Sequence, residues 1–210
     1  MLAFSAVVVA WLALPGFAQS EVVQSPQPPA SVDGFRSAKF GMSQDEVRRA
    51  IKTDFDLEGE AVTFSENPVE RTDVLSVTVP DLLDDGGVAE ISYVFGYKSA
   101  ALIQAGISWS AASDPALDPV RLYANGEVLR RHFLAQGFVP ETIQTSTVLD
   151  SGVLLFRGED AQGRATILLL QGNFSDNADG EQALIPESLT LLYADNADQP
   201  DVFEVQLDQF

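Results

Sequence analysis

The chain has 210 residues, 46% of them hydrophobic, which is enough to bury a folded core and excludes a disordered acidic chain. It carries 12 Lys and Arg against 31 Asp and Glu, and the formal net charge of −19 argues against nucleic acid as a partner because phosphate backbones are repelled. A basic protein or a bound cation is compatible with that charge. Cysteine is absent, so the sequence predicts no disulfides, no thiol chemistry and no lipid attached to an N-terminal Cys.

The N-terminal residues have the pattern of an export signal. Residues 2–14 are apolar except for one serine, and a Pro-Gly pair follows. Such a stretch suits a signal peptide and is too short for a transmembrane helix. We predict a signal peptide over residues 1–18 with cleavage after Ala18, or alternatively after Ser20, although no Lys or Arg precedes the apolar stretch. No later stretch is long and apolar enough to span a bilayer, so the sequence predicts a periplasmic or secreted protein with no integral membrane segment after cleavage.

A Pro-rich linker is predicted over residues 19–34, because neither a helical nor a strand period is present there. A first α+β unit is then predicted over residues 35–112. It opens with a capping box, in which the side chains of Ser43 and Glu46 each satisfy a backbone N–H of the first helical turn. The apolar positions 47, 50 and 51 follow at helical spacing and predict a helix.

Alternating apolar residues predict the strands that follow this helix. They lie over residues 61–64, 75–79, 88–97 and 101–109, and a cluster of Asp and Gly at 84–87 predicts a tight turn. Short strands joined by tight turns are typical of an antiparallel sheet.

A second α+β unit is predicted over residues 113–196. Asp118 and Pro119 form an N-cap followed by proline at the first helical position, and Gly137 is a natural stop for the helix. The Asn-Gly pair at 125–126 can divide this helix into two. Further strands are predicted over residues 141–149, 153–157, 165–171 and 189–194.

The order of elements is therefore helix, strands, helix, strands. Similar segments, at residues 46–49 and 127–131, occupy corresponding places in the two helices. These observations predict an α+β fold that is a tandem repeat of a helix packed on an antiparallel three- to four-stranded sheet. Residues 197–210 are predicted to be a C-terminal tail or an edge strand.

The start of the first helix resembles a known group of envelope proteins. Residues 40–43, Phe-Gly-Met-Ser, followed by Asp-Glu-Val at 45–47, resemble the helix opening of the BamE (SmpA/OmlA) family. The element order also resembles the tandem architecture of the secreted β-lactamase-inhibitor proteins, which bind other proteins with a sheet surface. Residues 33–55 are similar to uncharacterised periplasmic proteins of alphaproteobacteria. The chain has neither the lipidated Cys of the first group nor the disulfides of the second.

The sequence offers little catalytic chemistry. His132 is the single histidine, its place near the end of the second helix is typical of a structural residue, and no Gly-x-Ser-x-Gly motif is present. The segment 175–180 partly follows the start of a calcium-binding loop, but position 1 is Ser and position 12 is Pro186. We interpret this segment as an ordinary hairpin loop. The acidic turn that begins at Asp81 is interpreted in the same way. The sequence therefore predicts no catalytic residue, no metal ligand and no cofactor.

These patterns favour a non-enzymatic periplasmic module that binds a protein or associates with the envelope, with another envelope protein as its partner. Aromatic residues on exposed sheet faces, such as Tyr93, Tyr97 and Trp109, can make the contact, although each is also a candidate core residue. Two alternatives stay open. One is a hydrolase that uses a pair of carboxylates on cell-envelope material, and the other is a small-ligand or Ca²⁺ binding protein.

Overall fold

The computed structural model describes residues 28–176 and 182–204. The predicted signal peptide and most of the segment 175–180 lie outside this part of the chain. The first half contains β1 (Gly34–Phe35), β2 (Ala38–Lys39), α1 (Gln44–Phe55), β3 (Thr63–Asn67), β4 (Thr72–Val79), β5 (Ala89–Phe95) and β6 (Leu102–Ser110). The second half contains α2 (Pro119–Leu134), β7 (Thr147–Leu149), β8 (Gly152–Glu159), β9 (Ala165–Asp176) and β10 (Gln182–Ala194). Short 3₁₀ turns occupy Gly59–Ala61 and Pro140–Thr142.

Eight of the strands form one antiparallel sheet in the order β3-β4-β5-β6-β10-β9-β8-β7, and β1 and β2 form a separate small hairpin. The central pairing joins β6 to β10, with Trp109 opposite Leu189 and Ile107 opposite Leu191. The strands that follow α1 and those that follow α2 therefore share a single ladder of hydrogen bonds.

The predicted tandem repeat of a helix on a three- to four-stranded sheet is wrong. The structure is mostly one large sheet of eight strands, and a single cluster of buried side chains runs through both halves of the chain. The two helices also pack differently, because the closest backbone contacts of α1 are with β2, whereas those of α2 are with β8, β9 and β10. Alternating apolar residues identify a strand but do not show which other strand it pairs with, so the pairing of β6 with β10 could not be predicted from the sequence.

The helix starts follow from local chemistry. The side chain of Glu46 accepts a hydrogen bond from the backbone N–H of Ser43 at 2.9 Å, so the predicted capping box is present. Asp118 accepts from the backbone N–H of Arg121 at 2.8 Å, and Pro119 follows it as predicted. Within the described residues, no helix is both long enough and apolar enough to cross a bilayer.

The Asn-Gly pair does not divide α2, because both residues serve the packing of the helix. The buried side chain of Asn125 donates to the carbonyl oxygen of Gly86 at 2.8 Å, which ties the helix to the turn before β5. A Cβ at Gly126 would lie 2.7 Å from a methyl carbon of Leu155, so glycine permits the close approach of α2 to β8.

Both helices cover the same side of the sheet, which we call the helix face. Val47, Ala50 and Ile51 of α1 and Leu122, Leu129 and Phe133 of α2 are buried against it. The ring of Phe133 stacks on that of Phe156 of β8 with 5.5 Å between centroids. Each fully buried side chain of this size contributes about 1.5–3 kcal/mol relative to leaving it in water.

Candidate binding face of the sheet

The opposite side of the sheet, which we call the open face, carries the alternate residues of the same strands. Strand pairing aligns these residues into rows that run across the sheet. One central row consists of Thr63, Ser76, Ser92, Gly106, Leu192, Ile167 and Arg157. The other central row consists of Thr78, Glu90, Ser108, Thr190, Leu169, Leu154 and Thr147. One flanking row consists of Ser65, Val74, Val94, Gln104, Ala194, Ala165 and Glu159. The other flanking row consists of Ser110, Ser188, Gln171, Gly152 and Leu149.

Small and hydroxyl-bearing residues dominate the half of the open face formed by β4, β5 and β6. At its centre, a Cβ at Gly106 would lie 2.8 Å from the hydroxyl oxygen of Ser92 and 3.2 Å from a methyl carbon of Leu192. The Ser92 hydroxyl also donates to the Gly106 carbonyl oxygen at 3.4 Å. This half therefore presents hydrogen-bonding groups close to the backbone rather than long side chains.

An apolar cluster, which we call the leucine patch, occupies the half formed by β8, β9 and β10. It consists of Leu154, Ile167, Leu169 and Leu192, which are neighbours along or across these strands. Leu154 is 8% exposed and the other three are half-buried. Ile185, which is 50% exposed, extends the same face along β10. A contiguous apolar patch on an uncovered sheet face is typical of an interaction surface.

The open face is almost free of charge in a chain whose net charge is −19. Its rows contain only Glu90, Arg157 and Glu159 as charged residues. Arg157 donates to Asp198 and Glu159 at 2.9 Å each, and these hydrogen bonds raise its pKa above the ordinary value. Arg157 and Glu159 thus compensate each other at the margin of the face, and Glu90 is the one charge within its two central rows that makes no salt bridge with a described residue. Contact with a partner there depends mainly on apolar and hydroxyl groups.

The aromatic residues considered from the sequence take other positions. Tyr93 and Trp109 are fully buried on the helix face, and burial raises the pKa of Tyr93 above its ordinary value. Neither the Tyr93 hydroxyl nor the Trp109 indole N–H has a hydrogen-bond partner among the described residues. Tyr97 is 39% exposed in the turn after β5, where its ring lies edge-on to that of Phe203. None of the three lies in the rows of the open face.

Sequence reasoning missed the leucine patch, although a signal for it was present. The stretch Ala165–Gln171 is almost continuously apolar rather than alternating, which indicates that both faces of the strand carry apolar side chains. In the structure, Leu168 and Leu170 are buried under α2, whereas Ile167 and Leu169 lie on the open face.

The remaining candidates for catalytic or metal-binding residues, which are His132 and the acidic residues of the turn before β5, do not form a common site. His132 is exposed on α2, with its Nε2 atom 2.6 Å from Nε2 of Gln136. Asp84 and Asp85 are exposed in the turn before β5. Among the residues that the structure describes, no group of three or more His, Asp or Glu side chains is arranged to hold a metal ion.

The concavities formed by residues 28–176 and 182–204 include three that lie outside the open face. One of about 590 Å³ is lined by residues 162–164, 195 and 196. A second, of about 470 Å³, lies between α2 and the turn containing Leu82 and Leu83, and a third, of about 220 Å³, lies between α1 and the start of β3. Among the described residues, a single one that bears a carboxylate lines each of them, namely Asp195, Asp84 and Glu58 respectively. The paired carboxylates that a glycosidase needs are not found together in any of the three.

No protein-family model matches the chain, and neither a curated protein nor a solved structure matches it. The resemblances to the BamE family, to the β-lactamase-inhibitor proteins and to periplasmic proteins of alphaproteobacteria therefore stay predictions.

Proposed function

We propose that this protein is an exported, non-enzymatic binding module whose open face docks on another protein of the cell envelope. The observation that carries the proposal is the leucine patch, which the two helices leave uncovered. The predicted signal peptide over residues 1–18 supports the location.

A protein partner fits this surface better than other classes of ligand. The hydroxyl rows beside the leucine patch supply hydrogen-bonding groups next to an apolar area, and protein interfaces combine these two kinds of surface. The face has no aromatic residue in its rows on which a sugar ring can stack. A second copy of the chain is disfavoured, because two molecules of charge −19 repel each other at a distance.

The experiment compares capture of partners by variants of the tagged mature protein. Envelope extract is cross-linked mildly, the tagged protein is recovered, and what accompanies it is identified by mass spectrometry. We expect a stoichiometric protein with the unaltered chain, and a loss of at least about 10-fold with Leu169→Lys or Leu192→Lys, because a buried contact residue contributes about 2 kcal/mol or more.

The matched control is Val120→Lys, which places the same charge at a residue that is 76% exposed on α2, away from the open face. Circular dichroism and thermal unfolding establish that all three variants are folded. Equal capture by the open-face variants and the control contradicts the proposal. Loss of capture by the control variant as well also contradicts the proposal, because the added positive charge would then explain the loss wherever it is placed.

A further inference from the structure

The cleft between α1 and β3 has a strongly cationic lining. Arg48, Arg49 and Lys52 line it together with Glu58, Gly59 and Val62. Three of the 12 basic residues of a strongly acidic chain therefore face one small space. We call this space the α1 cleft.

Two of these cations make no salt bridge with a described residue, although Arg49 lies near the carboxylate of Glu46, whose pKa is lowered mainly by hydrogen bonds from Ser43 and in smaller part by Arg49. The ammonium group of Lys52 pairs with the carboxylate of Glu58 at 2.5 Å across the cleft, and this contact raises the pKa of Lys52 above its ordinary value. In residues 28–176 and 182–204, by contrast, neither Arg48 nor Arg49 makes a salt bridge. Guanidinium groups bind carboxylates through two parallel hydrogen bonds, so a carboxylate is their natural ligand.

The cleft opens onto a free edge of the sheet. Strand β3 is the terminal strand and pairs only with β4 among the described strands. Val62, which precedes β3, lines the cleft, and none of the five residues of β3 is buried. Phe64, opposite Leu75 on the helix-face side of β3, is 55% exposed and offers an apolar contact beside the cleft. An edge strand has backbone N–H and C=O groups available to another chain.

We propose that β3 and the α1 cleft bind an extended peptide segment of a partner protein, which adds a ninth strand to the sheet and places a carboxylate against Arg48 and Arg49. Backbone hydrogen bonds to β3 provide the register, Phe64 contacts an apolar side chain of the peptide, and the guanidinium groups select its charge. The adjacent free edge favours a peptide over an anionic lipid headgroup, because a headgroup cannot form the backbone hydrogen bonds of strand pairing. This surface is separate from the open face and does not depend on it.

The experiment selects random twelve-residue peptides displayed on their encoding RNA against the mature protein. We expect the selected peptides to be enriched in Asp and Glu. Affinities of the synthetic peptides are then measured by fluorescence anisotropy, and binding to Arg48→Gln/Arg49→Gln should be at least about 10-fold weaker, since a hydrogen bond to a charged group contributes about 1.5–3 kcal/mol. Arg48→Lys/Arg49→Lys, which keeps the charge but not the paired hydrogen bonds, should be intermediate.

Arg121→Gln/Arg131→Gln on α2 is the matched control, because it removes the same charge from two exposed arginines elsewhere. Leu169→Lys separates this proposal from the proposed function, since altering the open face should leave peptide binding unchanged. Amide hydrogen exchange should slow in residues 63–67 when peptide is bound.

Four results overturn the proposal. They are failure to select any peptide, selected peptides without acidic enrichment, equal affinity for the cleft variant and the control, and protection outside β3. Binding of the unaltered protein to vesicles of phosphatidylglycerol that is abolished by Arg48→Gln/Arg49→Gln, with no selected peptide, assigns the cleft to a lipid surface instead.

Discussion

Asp160 and Val32 are 128 residues apart in the sequence, and the Asp160 carboxylate accepts a hydrogen bond from the Val32 backbone N–H at 3.0 Å. Asp160 is 2% exposed. The same carboxylate accepts from Nε of Arg164 at 2.9 Å and from the backbone N–H of Gln162 at 2.9 Å. One buried side chain therefore closes the β8–β9 turn and fixes the chain that leads into β1.

Stability should fall in acid because of Asp160. Burial alone raises its pKa, but the hydrogen bonds from Val32, Arg164 and Gln162 outweigh burial and hold the pKa below its ordinary value. A carboxylate with a lowered folded-state pKa stabilises the fold above its unfolded pKa of about 3.9, and this contribution is lost as the pH falls through the folded-state pKa. We expect Asp160→Asn to lower the free energy of unfolding by about 2–3 kcal/mol at pH 7.

Urea unfolding of both chains at pH 7 and at pH 3 tests this, and the difference between them should shrink at the lower pH. Asp150→Asn, in the exposed turn between β7 and β8, is the control and should be close to neutral. A difference that stays constant from pH 7 to pH 3 refutes the role given to the Asp160 charge.

Neighbouring leucines on β9 should differ sharply in their effect on stability. Leu168 is fully buried on the helix face, so Leu168→Ala should lower the free energy of unfolding by about 3 kcal/mol. Leu169 is half-buried on the open face, and Leu169→Ala should lower it by about 1 kcal/mol because less apolar surface returns to water. Equal losses in denaturant titrations of the two variants would mean that the open face is covered in the free protein.

Two glycines with positive φ should also respond differently to alanine. Gly152 has φ +151°, and a Cβ there would lie 2.2 Å from the carbonyl oxygen of Leu170 on the paired strand. Gly163 has φ +77° with no atom within 4 Å of the same position. Gly163→Ala should lower the free energy of unfolding by about 1–2 kcal/mol from backbone strain alone.

Gly152→Ala should lower it by more, at least about 3 kcal/mol, because the backbone of β8 or β9 has to move as well. Thermal unfolding followed by circular dichroism ranks the two variants. A larger loss at Gly163 would be inconsistent with the pairing of β8 and β9 described here.

The C-terminal segment should be released by a single change at Asp201. Its carboxylate accepts hydrogen bonds from the backbone N–H groups of Ser99 and Lys98, and these bonds help to lower its pKa. Two residues later, the centroid of the Phe203 ring lies 3.7 Å from the guanidinium carbon of Arg71. We expect Asp201→Ala to speed limited proteolysis at residues 195–204 several-fold, because local opening exposes the cleavage sites. Asp195→Ala is the control and should cleave at the unaltered rate; equal rates in both variants would contradict the anchoring role of Asp201.

Local signals in the sequence located the helices more successfully than the sheet. The capping box at Ser43 and the Asp118-Pro119 start depend on residues within one helical turn, so they are visible in the chain. The burial of Asp160 depends on Val32, which belongs to the segment predicted to be a linker, and a turn containing Asp and Gly otherwise suggests a solvated loop. The leucine patch likewise needs the register of three strands before its members become neighbours.

The position of β10 has a consequence for how the molecule folds. It is the last of the described strands, yet it lies in the middle of the sheet and pairs with both β6 and β9. Neither β3–β6 nor β7–β9 can complete their hydrogen bonds until residues 182–194 are in place. Contacts of such large sequence separation slow folding, and until they form two strand edges stay available to other chains. Until residues 182–194 are in place, the incompletely folded chain is therefore vulnerable to misassociation through these edges.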